Sequence, residues 1–250
     1  MERVLMTGEV DQFQAPVFDQ GIIIIVGGFG SGKSEIAVNL ARHFAKTGNS
    51  PVAIADLDIV NPYFRSREAS EELTALGVRS LVPPGDQAYA DLPIILPEIK
   101  GAIRQNEGKL ILDVGGDDLG ARILLSLGDA FLPGDYDLLL VLNRNRPFTS
   151  DIKGTLKTIE EIEGASGLKL TGIISNTHLL EETTAGTVLD GLDLSQKVAM
   201  KTGLPVRFVC AVTDIAKMLN PADMSVPLLS LDRSLLKPWE RRRPTGPNLT

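Results

Sequence analysis

Residues Gly27-Gly28-Phe29-Gly30-Ser31-Gly32-Lys33-Ser34 have the types and spacing of a phosphate cradle, G-x-x-x-x-G-K-[ST]. Each part has a physical task. The glycines let the backbone turn so that its N–H groups point inward, forming a nest for phosphate oxygens. A helix starting at this point adds partial positive charge at its N-terminus. Lys33 is placed to reach the β- and γ-phosphates, and the Ser34 hydroxyl to ligate Mg²⁺.

Such a loop needs acidic groups for the metal and the water. Two candidates stand where apolar runs end. Leu110-Ile111-Leu112-Asp113-Val114-Gly115-Gly116 is an apolar strand closing on an acid, which makes Asp113 a metal-binding candidate beside Ser34. Three residues later, Gly116 is free of a side chain and can offer its backbone N–H to the γ-phosphate. The second candidate is Asp56-Leu57-Asp58-Ile59-Val60-Asn61-Pro62, whose two carboxylates share one face of an extended segment. Asp56 is a candidate for metal and catalysis, and Asp58 for catalysis.

Base choice is argued by absence. Many guanine readers use Asn-Lys-x-Asp, whose acid accepts from the base. After the strand 138–142 the chain reads Asn143-Arg144-Asn145-Arg146, with no acid. ATP is the expected nucleotide, with Mg²⁺.

The elements around these residues follow from pattern. Ile22-Ile23-Ile24-Ile25-Val26 is an unbroken β-branched run, the habit of a strand buried on both faces of a parallel sheet. A helix is expected from Lys33 to Thr47, with Ile36, Leu40 and Phe44 at fourfold spacing and Gly48 as its stop. Further strands are expected at 52–55 ending on Asp56, 78–82, 110–112 ending on Asp113, 138–142 ending on Asn143, 172–175 ending on Asn176, and 206–212. Helices are expected at 67–76, 98–105, 150–163 and 195–202. The stretch 83–97 is proline-rich and receives no assignment. Alternation of strands and helices predicts one doubly wound, mostly parallel α/β sheet of the P-loop NTPase fold over 21–236. An N-terminal extension (1–20) precedes it, and 237–250 is read as a mobile tail. Polar residues recur at the strands' carboxyl ends, where ligands bind in open α/β sheets.

Composition agrees with a globular domain. Of the 250 residues 43% are hydrophobic and 23% charged, and the net charge of −7 argues against general binding to nucleic acid or anionic membrane. Cys210 is the one cysteine, so no intrachain disulfide or Cys-x-x-Cys pair is possible. The polar first 20 residues lack a secretory pattern, and no apolar run approaches the roughly 20 residues needed to span a bilayer. A cytoplasmic protein is expected.

Together these residues resemble the MinD/ParA/Mrp branch of P-loop NTPases, the CobQ/CobB/MinD/ParA nucleotide-binding domain family, over roughly residues 20 to 215. Asp56-Leu57-Asp58-Ile59 looks like that family's first switch and Asp113-Val114-Gly115-Gly116 like its second. The resemblance implies that Asp58 positions or activates the attacking water and that Asn176 reads adenine. It also implies that the protein is an ATP-dependent homodimer with nucleotide near the dimer face, serving a protein partner. The family's second loop lysine is missing, because Gly28 stands there; Arg65 and Arg67 are the nearest spare cations in sequence. A single cysteine on a strand makes an Fe–S cluster between subunits unexpected. A MinD-like membrane helix is not evident near Leu228–Leu236, which Pro227 and Pro238 bracket.

Other residues receive blander readings. Asp117 and Asp118 are read as a solvated loop, His43 as structural, and Trp239 with Arg241–Arg243 as part of the tail; His178, two residues past Asn176, could approach the base edge. The leading reading is a switch ATPase. The alternative is a small-molecule ligase or kinase resembling dethiobiotin synthetase, with 89–98 as its candidate substrate pocket.

Overall fold

The computed structural model describes residues 13–48, 50–57, 67–81, 92–105, 107–116 and 118–233. Asp58, Asn61, Arg65, Asp117, Tyr89 and the stretches 1–12 and 234–250 lie outside the described residues.

Eight strands form one sheet in the order β3-β2-β4-β1-β5-β6-β7-β8, and every neighbouring pair is parallel. The strands are β1 (Ile22–Val26), β2 (Val52–Asp56), β3 (Val78–Leu81), β4 (Lys109–Asp113), β5 (Tyr136–Leu142), β6 (Gly172–Ser175), β7 (Val206–Val212) and β8 (Leu228–Leu231). All five β1 side chains are buried, each worth about 1.5–3 kcal/mol of transfer free energy. The unbroken apolar run is explained by β1's position between β4 and β5, covered on both faces.

Alternation along β1 feeds two apolar layers. Ile23 and Ile25 pack with Ile36, Leu40 and Phe44 of α1 (Lys33–Thr47) and Leu73 of α2 (Arg67–Ala75). Ile22, Ile24 and Val26 face the opposite layer. That layer holds Ile99 and Ile103 of α3 (Leu92–Gln105), Leu124 of α4 (Asp118–Leu127), Ile159 of α5 (Ile152–Ser166) and Val198 of α6 (Ala185–Thr202). Helices on both faces make the doubly wound arrangement. A short helix, α7 (Thr213–Ala216), follows β7.

Several boundaries differ from the sequence expectation. Helix α3 begins at Leu92 and contains Pro97, so the helix extends into the stretch that received no assignment. Helix α6 begins at Ala185, ten residues before the expected start. Its N-terminus is fixed by a capping box in which the Thr184 and Thr187 hydroxyls each accept from the other's backbone N–H. Gly191 inside it is required, because a Cβ there would lie 2.1 Å from Thr177 Oγ1. Helix α4 and strand β8 were not expected; β8 takes up the leucines 228, 229 and 231. No described helix is long and apolar enough to cross a membrane.

Candidate phosphate-binding site

The glycine loop joins β1 to α1. Gly30 and Gly32 adopt positive φ, 71° and 91°, where an L side chain is strained. Gly32 is the N-cap of α1 and, having no side chain, leaves the first-turn amides uncapped; α5 and α6 instead close theirs with Asp151 and Thr184. An uncapped helix start with its amides and partial positive charge is an anion site, and Lys33 and Ser34 stand at that start. Lys33 is 6% exposed, a buried position for an ammonium group.

The acids reach the same point by register. Asp56 of β2 lies beside Asp113 of β4, and Asp113 lies beside Ile25 of β1. Strand alternation fixes their direction. Ile54 and Ile111 belong to the layer that packs on α1, so Asp56 and Asp113, two residues on, project to that face at its carboxyl end. That is the end at which α1 begins. Asp113 is fully buried and Asp56 half-buried. Two carboxylates plus the half-buried Ser34 hydroxyl form an all-oxygen donor set, which fits Mg²⁺ held by few protein ligands together with phosphate oxygens.

Gly116 closes the loop from the side. A Cβ on Gly116 would lie 2.0 Å from Gly27 O and 2.8 Å from Gly28 N, so its backbone rests directly on the first peptide of the cradle. Gly28, by contrast, has nothing within 4 Å of where its Cβ would stand.

Three side chains from the strand ends beyond β1 hold the outside of the loop. Asn176, 4% exposed, donates its Nδ2 to Ser31 O at 2.7 Å. Arg146 donates its Nε to Gly30 O at 2.7 Å. The His178 ring also faces the Gly30 carbonyl; burial first, then the Arg146 and Arg233 cations, hold its pKa down at about 4, so the imidazole is neutral.

The structure therefore brings Gly27, Gly28, Gly30, Ser31, Gly32, Lys33, Ser34, Asp56, Asp113, Gly116 and Asn176 to one end of the sheet. It corrects one detail of the base argument. The asparagine that touches the loop follows β6, not β5, so the stretch to compare with Asn-Lys-x-Asp is Asn176-Thr177-His178-Leu179. Leu179 stands where the acid would be. One N–H of the Asn176 amide is engaged by the loop, and Oδ1 is the acceptor it can offer to a base. Arg67 lies in α2, and its side chain is outside the description. Sequence reasoning passed over Arg146. Its signal was present in Asn143-Arg144-Asn145-Arg146, which was read only for its missing acid. Cys210 is buried within β7, and burial pushes its thiol pKa well up.

A cleft of about 740 Å³ opens beside the cradle, lined by Gly28, Ser31, Gly116, Arg146, Thr158 and Glu161 among others. The exposed rings of Phe29 and Phe148 also line it.

Sheet order, uncapped α1 and paired acids together define a P-loop NTPase fold. Among solved structures, the chain is similar to the cell division protein FtsY from Thermotoga maritima (TM-score 0.53, 20% identity, covering 86% of this chain and 72% of that one). It is also similar to the signal recognition particle receptor FtsY from Elizabethkingia anophelis (TM-score 0.51, 17% identity, 86% and 67%). The chain spans 60% of the length of FtsY from Mycoplasma mycoides, at a TM-score of 0.48. No family model and no curated protein matches the sequence. At these identities the likeness is one of fold. The narrower MinD/ParA resemblance rests on the motifs alone.

Proposed function

We propose that this chain binds Mg-ATP in the Gly27–Ser34 loop and hydrolyses it, acting as a MinD/ParA-like switch. The observation that carries the reading is the register of Asp56 with Asp113, which aims two carboxylates at the uncapped start of α1 beside Lys33 and Ser34. A bound Mg²⁺ would be held by Ser34 and one of these acids and would neutralise charge between the β- and γ-phosphates. The loop amides and Lys33 bind and orient the phosphates. Gly116 fixes the inner wall from which its N–H is offered to the terminal phosphate. Asp58 is assigned the attacking water by the motif resemblance. Adenine is favoured because Leu179 offers no acceptor to a guanine edge. The motif resemblance also supports a homodimer that serves another protein.

Competition titration of a fluorescent ADP analogue tests the base assignment: ATP and ADP should displace it at lower concentration than GTP and GDP. Phosphate release from ATP alone should be measurable. It should fall in Lys33→Ala, along with about a tenfold to hundredfold loss of affinity, the range for a charge-assisted contact. Unchanged ATP affinity in a folded Lys33→Ala protein refutes the cradle assignment. The cleft favours a second reading, a ligase or kinase whose small-molecule substrate sits beside the terminal phosphate. That reading requires phosphate release to stay at background until the second substrate is added.

A further inference from the structure

We propose that Arg146 is the second cation of the site, contacting the terminal phosphate of a bound nucleoside triphosphate from the β5 side of the loop. The assignment rests on the nucleotide-binding reading above and adds a residue that neither the motifs nor the comparisons point to.

The phosphate chain of a triphosphate carries more negative charge than one lysine offsets, and phosphoryl transfer depends on cations placed around it. The loop supplies Lys33 and nothing else, since Gly28 has no side chain. The space where a Gly28 side chain would go is open, with no atom within 4 Å of its Cβ position. That space gives onto the cleft, and Arg146 is the basic side chain among the described residues that line it.

Three details fit the guanidinium to this role. It is anchored at one edge: Nε donates to Gly30 O at 2.7 Å, and a Cβ on Gly30 would meet Nε, Cζ and Nη2 at 2.8, 2.9 and 3.0 Å. The plane therefore lies against the loop's own backbone, and glycine at position 30 is what admits it. The amino groups beyond Nε make no hydrogen bond to the described residues. No carboxylate among them pairs with the group either; Arg144, two residues before, pairs with Asp190, and Glu161 across the cleft is within reach of Lys157. A half-buried guanidinium held in place with its outer donors unspent, on a cleft shared with Gly28 and Gly116, is arranged to receive an anion.

The position follows from topology. β5 is the neighbour of β1 on the side away from β4. The turn after β5 therefore runs alongside the glycine loop, and the Pro147–Thr149 turn that follows is pinned by Thr149 Oγ1 donating to Asn143 O at 2.7 Å. The acids approach the phosphates from the β4 side and Arg146 from the β5 side.

A brace for the loop is the competing role, and the two make different demands. The measurement is the dissociation constant of Mg-ADP and of a non-hydrolysable Mg-ATP analogue for the parent, Arg146→Ala and Arg146→Gln. Thermal melts establish that each variant is folded. Glutamine keeps a donor for the Gly30 carbonyl and loses the charge. Both variants should weaken the ATP analogue by about tenfold to a hundredfold while changing ADP by less than threefold. ATP turnover should fall with them. If ADP and the analogue weaken by the same factor, or if Arg146→Gln behaves as the parent, the residue is a brace and the assignment is wrong. A parent protein that binds neither nucleotide fails the underlying reading and takes the arginine with it. Binding by the parent with no discrimination in the variants fails the arginine assignment alone.

Discussion

Gly116→Ala is a one-carbon change whose effect follows from geometry. The added Cβ would sit 2.0 Å from Gly27 O, 2.4 Å from Gly27 C and 2.8 Å from Gly28 N, and real Cβ atoms keep at least about 3 Å from such backbone atoms. The 114–116 segment and the cradle must therefore separate by about 1 Å. Neither side yields freely. Val114 N is bonded to Ile25 O at 3.0 Å, and β1 is paired on both edges. The displacement falls on the loop, whose amides must converge on phosphate. Drawing one cradle amide away from a phosphate oxygen loses a charge-assisted hydrogen bond, worth about 1.5–3 kcal/mol, or about tenfold to a hundredfold in affinity. Gly101→Ala is the matched control, since Gly101 lies in α3, does not line the cleft, and its Cβ meets nothing within 4 Å. Titration with a fluorescent ADP analogue, alongside thermal melts, should show Gly116→Ala folded and weakened about tenfold to a hundredfold, and Gly101→Ala close to the parent. Parent-like binding by Gly116→Ala, or equal weakening by both variants, refutes the steric argument.

Asn176→Ala removes the Nδ2 donor from Ser31 O in a buried setting, which should cost about 1–3 kcal/mol in urea denaturation without nucleotide; no change means the bond is not made in solution. His178 has a folded pKa near 4, below its unfolded value near 6.5, so the unfolded chain takes up the proton first as pH falls. Stability contributed by the neutral ring is present above about pH 6.5 and is lost toward pH 4, with a slope on the order of 1 kcal/mol per pH unit. Denaturation at pH 7 and pH 5 should show a smaller loss in His178→Gln than in the parent, and equal losses would rule the histidine out. The buried Cys210 thiol should resist a thiol reagent in the native protein and react as one group per chain after unfolding; rapid native labelling contradicts its burial.

What the sequence made legible was the part with strong local signals. The Ile22–Val26 run, the glycine loop and the stripe of α1 declare themselves, because a central strand must be apolar on both faces and a phosphate nest needs glycine. Asp56 and Asp113 were visible as strand-ending acids, but their register required the sheet order, which no local pattern contains. The start of α6 was hidden by Gly186, Thr187 and Gly191, poor helix formers that serve the Thr184 cap and the packing of Thr177. In α3, Pro97 masked a helix that packing on Ile99 and Ile103 maintains. Arg146 is the instructive omission. Arg65 and Arg67 were considered because they follow the first acidic segment in sequence, whereas the cation at the loop comes from residues more than 100 positions beyond it, brought there by the β1–β5 pairing.

That pairing also bears on how the protein is made. β1 is the first strand of the described chain, yet its partners are long-range: Ile22 pairs with Leu110, and Val26 with Leu140. At a synthesis rate of about 5–20 residues per second, β1 waits roughly 5–20 s for both edges to be covered. During that interval four isoleucines and a valine, with no charge or proline among them, have the features of an aggregation-prone window. Closing so long a loop is also slow, because chain entropy is lost before the pairing rewards it. The segment that most needs shielding in the nascent chain is therefore the one that carries the phosphate loop, and folding yield should depend on what covers Ile22–Val26 before β4 and β5 arrive.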